Sequence, residues 1–157
     1  MEEKPQEKIK ILYVDDEDNN LQAFKATFRR EYKIFLAINA QDGRAILDQE
    51  EIDIIITDQR MPEETGVEFL ESIIPTYPGP IRILLTGYTD IQAVIDAINK
   101  GQVYHYLTKP WEEDYLRTVI RNAFEIYQLR RENEKLTQAL IKSNEQLEFL
   151  LRQNLLS

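Results

Sequence analysis

The sequence predicts a doubly wound α/β fold, in which a five-stranded parallel sheet has helices on both faces and the last helix extends beyond the domain. Two observations lead to this prediction. Short apolar segments alternate with helical patterns five times along the chain, and short helical connections are typical of parallel strands with right-handed crossovers. In addition, no proline or glycine occurs between Trp111 and Leu156, so the last helix could span roughly 65–70 Å.

Five apolar segments are predicted to form the strands. The third contains Ile54, Ile55 and Ile56 in succession, and such a wholly apolar run is typical of a strand buried on both faces of a parallel sheet. The turn-forming segment YPGP at 77–80 separates the third helix from the fourth strand. We predict the strands at residues 9–14, 33–37, 53–57, 81–86 and 103–107.

A helical pattern follows each strand. The first helix is predicted to begin near Asn19 with Asp18 as its N-cap, because a side-chain oxygen there can accept hydrogen bonds from unpaired main-chain N–H groups. Gly101 is a natural end for the fourth helix. We predict the other helices over about 41–49 and 66–74, from Thr89 and Asp90 through Ile98, and from about Glu112 onward.

Composition divides the chain into three parts. Residues 1–8 are polar and are expected to be disordered, as chain ends often are. Residues 9–127 contain the alternating strands and helices and are expected to form one domain. Residues 128–157 are rich in Leu, Glu, Gln and Asn, and we expect them to form a coiled-coil helical extension.

The chain is acidic, with a formal net charge of −9 and a sequence pI near 4.7. Nucleic acid and anionic membranes repel such a chain, so we expect neither as its direct partner. There is no cysteine, which excludes disulfides and thiolate metal sites. The N-terminal segment lacks the apolar core of a signal peptide, and no apolar stretch reaches the ~18 residues of a membrane span. We therefore expect a cytoplasmic protein.

Polar side chains stand at the predicted carboxyl ends of four strands. Asp15 and Asp16 follow the first strand, Asp58 the third, Thr86 the fourth and Lys109 the fifth. In doubly wound sheets such ends converge on one crevice. Three carboxylates there repel one another, so we expect a divalent cation, and oxygen ligands favour Mg²⁺ or Mn²⁺. Asp58 is then a candidate nucleophile that forms an aspartyl phosphate, with Lys109 and Thr86 as contacts for phosphoryl oxygens.

Four motifs carry a resemblance to a known family, namely YVDDED at 13–18, TDQRMPEETG at 57–66, LLTGYTD at 84–90 and YLTKPW at 106–111. In this order and spacing they resemble the receiver domain of bacterial two-component response regulators. The stretches RILLTGYTD and YLTKPW are similar to receivers of hydrogenase-type transcriptional regulators. The resemblance implies a flavodoxin-like sheet of order 2-1-3-4-5. It also implies a signalling switch that catalyses only its own phosphorylation and dephosphorylation.

The resemblance also assigns roles to individual residues. It implies that a sensor histidine kinase or a phosphotransfer protein donates phosphoryl to Asp58, and that the Arg60 main-chain carbonyl joins Asp15, Asp16 and Asp58 as a ligand of Mg²⁺. Thr86 and Tyr106 match a pair that moves inward after phosphorylation and reshapes the surface of the fourth helix, fifth strand and fifth helix.

Several nearby residues are expected to adjust the site rather than build it. Gly87 matches a small residue that leaves room for the phosphoryl group. Arg60 is expected to lie over the phosphoryl oxygens and Tyr88 to shield them from water, which would slow hydrolysis. His105, the only histidine, is expected to be a polar residue of the edge strand. Trp111 is expected to pack at the start of the last helix and to report on the nearby site.

Two alternative functions compete with the signalling switch. A Mg²⁺-dependent phosphohydrolase could use an aspartyl nucleophile on a related sheet, but such enzymes usually carry a second Asp two residues later, where this chain has Arg60. A structural dimerisation module with an inert receiver would not need all of the candidate site residues. The switch is therefore the preferred interpretation, and we do not expect an enzyme with an external substrate.

The C-terminal extension fits a heptad pattern. Its a positions are Ile126, Asn133, Leu140, Leu147 and Asn154, and its d positions are Leu129, Leu136, Ser143 and Leu150. Six of these nine are apolar, which is sufficient to predict a coiled coil. Leucine at d and asparagine at a favour two parallel strands in register. We predict a parallel homodimer through residues 126–155, with phosphorylation altering how the two receivers pack.

Overall fold

The sheet has five parallel strands in the computed structural model, which describes residues 7–87 and 91–156. The strands are β1 (Lys10–Val14), β2 (Lys33–Ala37), β3 (Ile54–Asp58), β4 (Ile81–Thr86) and β5 (His105–Thr108). The helices are α1 (Asp18–Phe28), α2 (Ala40–Gln49), α3 (Gly66–Ile73), α4 (Ile91–Asn99) and α5 (Glu113–Leu156). The strand order is β2-β1-β3-β4-β5, which confirms the predicted doubly wound fold.

β3 lies at the centre of the sheet, between β1 and β4. Ile54, Ile55 and Ile56 have no exposed surface, as their uninterrupted apolar run predicted. Asp58, the last residue of β3, is opposite Leu85 of β4 in the register. Because all the strands are parallel, this register brings Asp58 to the carboxyl edge of the sheet, beside the ends of β1 and β4.

Helices cover both faces of the sheet, and the side chains of β1 alternate between two cores. Tyr13 belongs to the core formed with α1 and α5, whereas Leu12 belongs to the core formed with α2, α3 and α4. The first core is aromatic near the carboxyl edge. Tyr13 stacks on Phe24 with ring centroids 4.3 Å apart, and the rings of Phe28 and Trp111 lie 5.6 Å apart. These contacts confirm the predicted packing role of Trp111.

The helix starts differ in detail from the prediction. The N-cap of α1 is Glu17 rather than Asp18, so the predicted cap is wrong. The Glu17 main-chain N–H donates to Asp15 Oδ1 at 3.0 Å, and this bond closes the turn one residue earlier. Asp18 instead lies in the first helical turn, where its charge favours the positive end of the helix dipole. The predicted helix start at Thr89 and Asp90 lies outside the described residues, as do residues 1–6 of the predicted disordered N-terminus.

β5 begins two residues later than predicted. The predicted strand covered 103–107, whereas pairing with β4 starts at His105. A side chain holds the preceding segment, because Arg82 Nε donates to the Gln102 carbonyl at 2.8 Å. Val103 is buried in the core all the same, and its apolar character is what made the segment resemble a strand.

α5 is one continuous helix of 44 residues, which is about 66 Å long at 1.5 Å per residue. Its first part packs on the sheet, and Tyr127 is its last buried residue. Every residue from Gln128 to Leu156 is exposed. The predicted long C-terminal helix is therefore confirmed. Within the described parts of the chain, no helix is both long and apolar enough to cross a membrane.

A polar cluster anchors α5 where it leaves the domain. The Tyr127 hydroxyl lies close to Asp53 in the loop before β3, and burial and the negative charge of Asp53 raise the pKa of that hydroxyl. Arg131 Nη1 donates to the Tyr127 hydroxyl at 3.2 Å and lies 3.4 Å from Glu51 Oε1. The Arg131 guanidinium also lies 5.6 Å from the centroid of the Tyr127 ring. This anchor is at the edge of the sheet opposite Asp58.

Candidate functional site at the carboxyl edge of the sheet

Three carboxylates meet at the carboxyl edge of the sheet. Asp15 and Asp16 follow β1 directly, and Asp58 ends β3. Each offers one ligand atom, and these atoms all lie within 4.8 Å of one another. Asp15 has no exposed surface, and Asp58 is only 7% exposed. The structure therefore brings together the three aspartates that the sequence singled out.

Lys109 lies among these carboxylates. Its Nζ is 3.1 Å from Asp58 Oδ1 and 3.2 Å from Asp15 Oδ2. The main-chain N–H of Lys109 donates to the Thr86 carbonyl at 3.0 Å, which ties the segment after β5 to the end of β4. The same ammonium thus contacts the acidic residues of two strands, as expected from its position in the sequence.

The charges of the site are not balanced. Burial is the main reason why the pKa of Asp58 is raised above the usual range of an aspartate. The hydrogen bond and the attraction to the Lys109 ammonium lower this pKa, whereas the negative charges of Asp15 and Asp16 raise it further. Burial alone would lower the pKa of Lys109, but its contacts with Asp58 and Asp15 raise it above the usual range. Lys109 is therefore charged at neutral pH, and the carboxylates still outnumber it.

The residues present fit a divalent cation. Asp15, Asp16 and Asp58 offer carboxylate oxygens close together, which is the donor chemistry of Mg²⁺ and Mn²⁺. Asp58 is buried and surrounded by like charge, so a cation would stabilise its ionised form. Arg60 follows Asp58 by two residues in a segment without helix or strand, and its main-chain carbonyl remains a predicted ligand.

The predicted phosphoryl contacts occupy the neighbouring strand ends. Thr86 ends β4, is 1% exposed, and donates its hydroxyl to the Gly87 carbonyl at 3.0 Å. A Cβ atom built on Gly87 would meet no described atom within 4 Å, so the described residues leave this side of the strand end open. Tyr106 lies in β5 and is 40% exposed. The switch role of Thr86 and Tyr106 stays a prediction.

The remaining residues singled out in the sequence are Arg60, Tyr88 and His105. Arg60 is exposed, and Tyr88 lies outside the described residues, so their predicted effects on hydrolysis stay predictions. His105 lies on the edge strand β5, as predicted, with its Nε2 3.3 Å from the Tyr115 hydroxyl. Burial lowers the pKa of His105, so it is neutral at pH 7.

A glycine that the sequence analysis did not assign to the site supports Asp58. A Cβ atom on Gly66 would overlap the Asp58 main-chain oxygen and lie 2.8 Å from Leu84 Cδ1. The Gly66 N–H donates to the Gln59 carbonyl at 3.0 Å, and the Val67 N–H donates to Gln59 Oε1 at 2.9 Å. The start of α3 therefore packs directly on the main chain that presents Asp58.

We expect Gly66→Ala to destabilise the domain by about 1–3 kcal/mol, the usual effect of overpacking a core. The atom that it meets belongs to the main chain and cannot move by changing a rotamer. Gly79→Ala is the matched control, because a Cβ atom there meets no described atom within 4 Å. Urea unfolding of both variants measures the difference. Equal stability of the two variants would show that the start of α3 adapts without cost.

Two partners of Asp15 were not predicted. The Tyr13 hydroxyl and Asn20 Nδ2 donate to Asp15 Oδ2 at 3.0 Å and 3.2 Å. The strand period could have indicated Tyr13, because residues i and i+2 point to the same face of a sheet. Asn20 carries no such signal, since its approach to Asp15 depends on the exact start of α1.

Comparison with known proteins agrees with this geometry. The family model described as "Response regulator receiver domain" matches residues 11–121. The hydrogenase transcriptional regulatory protein HoxA of Bradyrhizobium diazoefficiens is 36% identical over 124 residues, which cover 79% of this chain and 26% of that protein. HoxA of Cupriavidus necator is 36% identical over 126 residues, which cover 80% of this chain and 26% of that protein. The chain thus spans about a quarter of the length of these relatives.

Solved structures share the fold. A response regulator receiver domain protein from Clostridium thermocellum is similar with a TM-score of 0.73 and 32% identity, covering 77% of this chain and 98% of that one. The signal receiver domain of an HD domain-containing protein from Pseudomonas fluorescens Pf-5 is similar with a TM-score of 0.76 and 32% identity, covering 83% of this chain and 96% of that one.

Proposed function

The chain belongs to the response regulator receiver domain family, and on this premise we propose that it is a phosphorylation-controlled switch with Asp58 as its phosphoacceptor. The observation that carries the proposal is the contact of Lys109 Nζ with Asp58 Oδ1 at 3.1 Å, within the acidic cluster of Asp15, Asp16 and Asp58. A nucleophilic carboxylate, a set of oxygen ligands and an ammonium share one crevice. Receiver domains are signalling modules rather than enzymes in the usual sense.

The proposed reaction is phosphoryl transfer from a phosphohistidine of a sensor kinase or phosphotransfer protein. A carboxylate oxygen of Asp58 forms a bond to phosphorus as the phosphorus–nitrogen bond breaks, and the electron pair goes to the imidazole nitrogen, which takes up a proton. Lys109 stays charged and exchanges its contact with Asp58 for one with a phosphoryl oxygen. The Thr86 hydroxyl exchanges its contact with the Gly87 carbonyl in the same way.

Asp15, Asp16, Asp58 and the Arg60 main-chain carbonyl would hold the Mg²⁺ or Mn²⁺ ion. When bound, the ion would supply positive charge against the phosphoryl oxygens and against the carboxylates themselves. The burial of Asp15 and Asp58 supports this assignment, because buried carboxylates in one cluster require compensation.

The output surface of the proposed switch is made by α4, β5 and α5. It exposes large apolar and aromatic side chains, each at least 38% exposed: Ile91, Ile95, Tyr104, Tyr106 and Tyr115. Inward movement of Thr86 and Tyr106 would change this surface and bias α5. The HoxA relatives are named as transcriptional regulatory proteins, and we propose that this surface passes the signal to an output through protein contacts.

The exposed part of α5 is proposed to form a parallel homodimer. Five seam leucines, at 129, 136, 140, 147 and 150, are each more than half exposed. Ile126 packs partly against the domain core, so the free seam begins at Leu129 rather than at Ile126. A lone helix of this kind is marginal in water, and pairing with a second copy would bury its apolar stripe.

Phosphorylation of the full chain by a small phosphodonor, such as acetyl phosphate, tests the function. We expect a hydroxylamine-labile label that requires Mg²⁺ or Mn²⁺ and maps by mass spectrometry to the peptide containing Asp58. The chelated sample is the control. A label on a different residue with Asp58 unmodified would contradict the assignment.

Two further measurements, beryllofluoride binding and a turnover assay, distinguish the alternative functions. An inert receiver would take no label and would not bind beryllofluoride in the presence of Mg²⁺. A phosphohydrolase would release phosphate from a generic phosphate ester over many turnovers, and the presence of Arg60 two residues after Asp58 argues against it.

A further inference from the structure

The buried hydroxyl of Tyr13 has no part in the proposed function so far. Tyr13 has no exposed surface, and its ring is stacked on Phe24 with planes 9° from parallel. The hydroxyl donates to Asp15 Oδ2 at 3.0 Å, and Phe24 also packs edge-on with the Trp111 ring, with centroids 6.2 Å apart. Tyr13 therefore connects the Asp15 carboxylate to the aromatic cluster that contains Phe24 and Trp111.

Three other groups also donate hydrogen bonds to the Asp15 carboxylate. The Glu17 main-chain N–H donates to Oδ1 at 3.0 Å. Asn20 Nδ2 and Lys109 Nζ each lie 3.2 Å from Oδ2, and the Lys109 side chain is 29% exposed. A carboxylate oxygen has two lone pairs, so three donors compete for Oδ2. Of these three, the Tyr13 hydroxyl is the one whose position is fixed by close packing.

We propose that Tyr13 is a positioning residue of the cation site, which fixes the rotation of the Asp15 carboxylate through its hydrogen bond to Oδ2. It would thereby hold Asp15 where its ligand atom lies within 4.8 Å of those of Asp16 and Asp58. The Tyr13 hydroxyl would also remain hydrogen-bonded to Oδ2 when Lys109 moves to a phosphoryl oxygen. The inference rests on the proposed function only in taking a divalent cation as the ligand.

Tyr13→Phe in the full chain tests the proposal, because it removes the hydroxyl and keeps the ring on Phe24. We expect Mg²⁺ affinity, measured by titration calorimetry without a phosphodonor, to fall about tenfold, as for other groups that orient a metal ligand. The change in Trp111 fluorescence at saturating Mg²⁺ should also become smaller, since the hydroxyl that joins Asp15 to the aromatic cluster of Phe24 and Trp111 is lost.

Tyr32→Phe is the matched control. Tyr32 belongs to the same aromatic group, with its ring 5.8 Å from that of Phe28. Because distant sites are usually independent, we expect Tyr32→Phe to change the Mg²⁺ affinity less than about twofold. If the role of Tyr13 were purely structural, Tyr13→Phe would lower the unfolding midpoint and leave the Mg²⁺ affinity of the folded protein unchanged. That result would overturn the proposal.

A second variant covers the case in which Tyr13→Phe does not fold. Phe24→Leu removes the ring on which Tyr13 is stacked, and we expect a loss of a few fold in Mg²⁺ affinity, because the Tyr13 hydroxyl is then held less firmly against Asp15. Unchanged affinity there would equally refute the proposal. Wild-type protein that binds Mg²⁺ but takes no phosphoryl label would contradict the proposed function and leave the Tyr13 inference intact.

Discussion

Asp58→Asn is expected to abolish phosphorylation and to raise the stability of the domain at neutral pH. Phosphorylation is lost because an amide is not a nucleophile for phosphorus. Stability rises because burial and the charges of Asp15 and Asp16 raise the pKa of Asp58 in the folded state, so its ionised form disfavours folding. Lys109 keeps its contact with Asp15 at 3.2 Å, so the variant does not leave the ammonium unpaired.

The gain in stability has a definite pH dependence. A folded-state pKa above the unfolded-state value means that Asp58 destabilises the wild type fully at pH values above its folded-state pKa. This destabilisation disappears as the pH falls through that pKa. Urea unfolding without Mg²⁺ should therefore show a midpoint difference between wild type and variant that shrinks on acidification.

Asp96→Asn is the control, because Asp96 is an exposed carboxylate of α4. It should leave both phosphorylation and the urea midpoint near those of the wild type. An Asp58→Asn variant that is still labelled at the same peptide, or that is less stable than the wild type at neutral pH, would contradict the account of the site.

Ending the chain after Arg130 is expected to convert a dimer into a monomer at tens of micromolar concentration. A fully buried leucine contributes roughly 1.5–3 kcal/mol, and four of the five seam leucines lie beyond Arg130. Burial on this scale, from both helices, exceeds most estimates of the cost of association, about 4–15 kcal/mol. Sedimentation equilibrium of the full and shortened chains measures the change.

Adjacent residues of α5 supply a matched pair of point variants. Leu140 lies at a seam position and is 61% exposed, whereas Ile141 lies beside the seam and is 46% exposed. We expect Leu140→Glu to dissociate the dimer and Ile141→Glu to leave it largely intact. Equal effects of the two variants would mean that the predicted heptad register is wrong.

The chain has no cysteine, so single cysteines can report the orientation of the helices. Asn133→Cys should form a disulfide with its own copy in a parallel dimer, whereas Gln138→Cys, on the outer side of the helix, should not. A proven dimer without the Asn133→Cys cross-link would exclude the parallel arrangement. A monomeric full chain would remove the dimer proposal altogether.

The positions of the strand ends were predictable because apolar runs in the sequence mark where the strands begin and end. The run Ile54–Ile56 required a central strand, and its end fixed the place of Asp58. Asp15 and Lys109 are 94 residues apart in the sequence, yet the doubly wound topology brings parallel strand ends together whatever the lengths of the connections. The acidic cluster and its lysine therefore followed from the order of the elements alone.

The details that the sequence did not predict depend on side-chain geometry. Gly66 matters because of one close approach to the Asp58 carbonyl, and nothing in its local pattern distinguishes it from a turn glycine. Arg82 donates to the Gln102 carbonyl just before β5, a contact that the local sequence pattern does not indicate. The N-cap at Glu17 accompanies a hydrogen bond from its main-chain N–H to Asp15 Oδ1, and this bond depends on the orientation of the Asp15 side chain.

The projecting part of α5 has the dimensions of a lever arm. Residues 128–156 form about 43 Å of helix at 1.5 Å per residue, and at its base Arg131 donates to the Tyr127 hydroxyl and lies 3.4 Å from Glu51 Oε1. For a rigid rod of that length, a tilt of about 5° at the pivot displaces the far end by about 4 Å. A tilt too small to alter the packing of the core would therefore displace the far end of the helix by several ångströms.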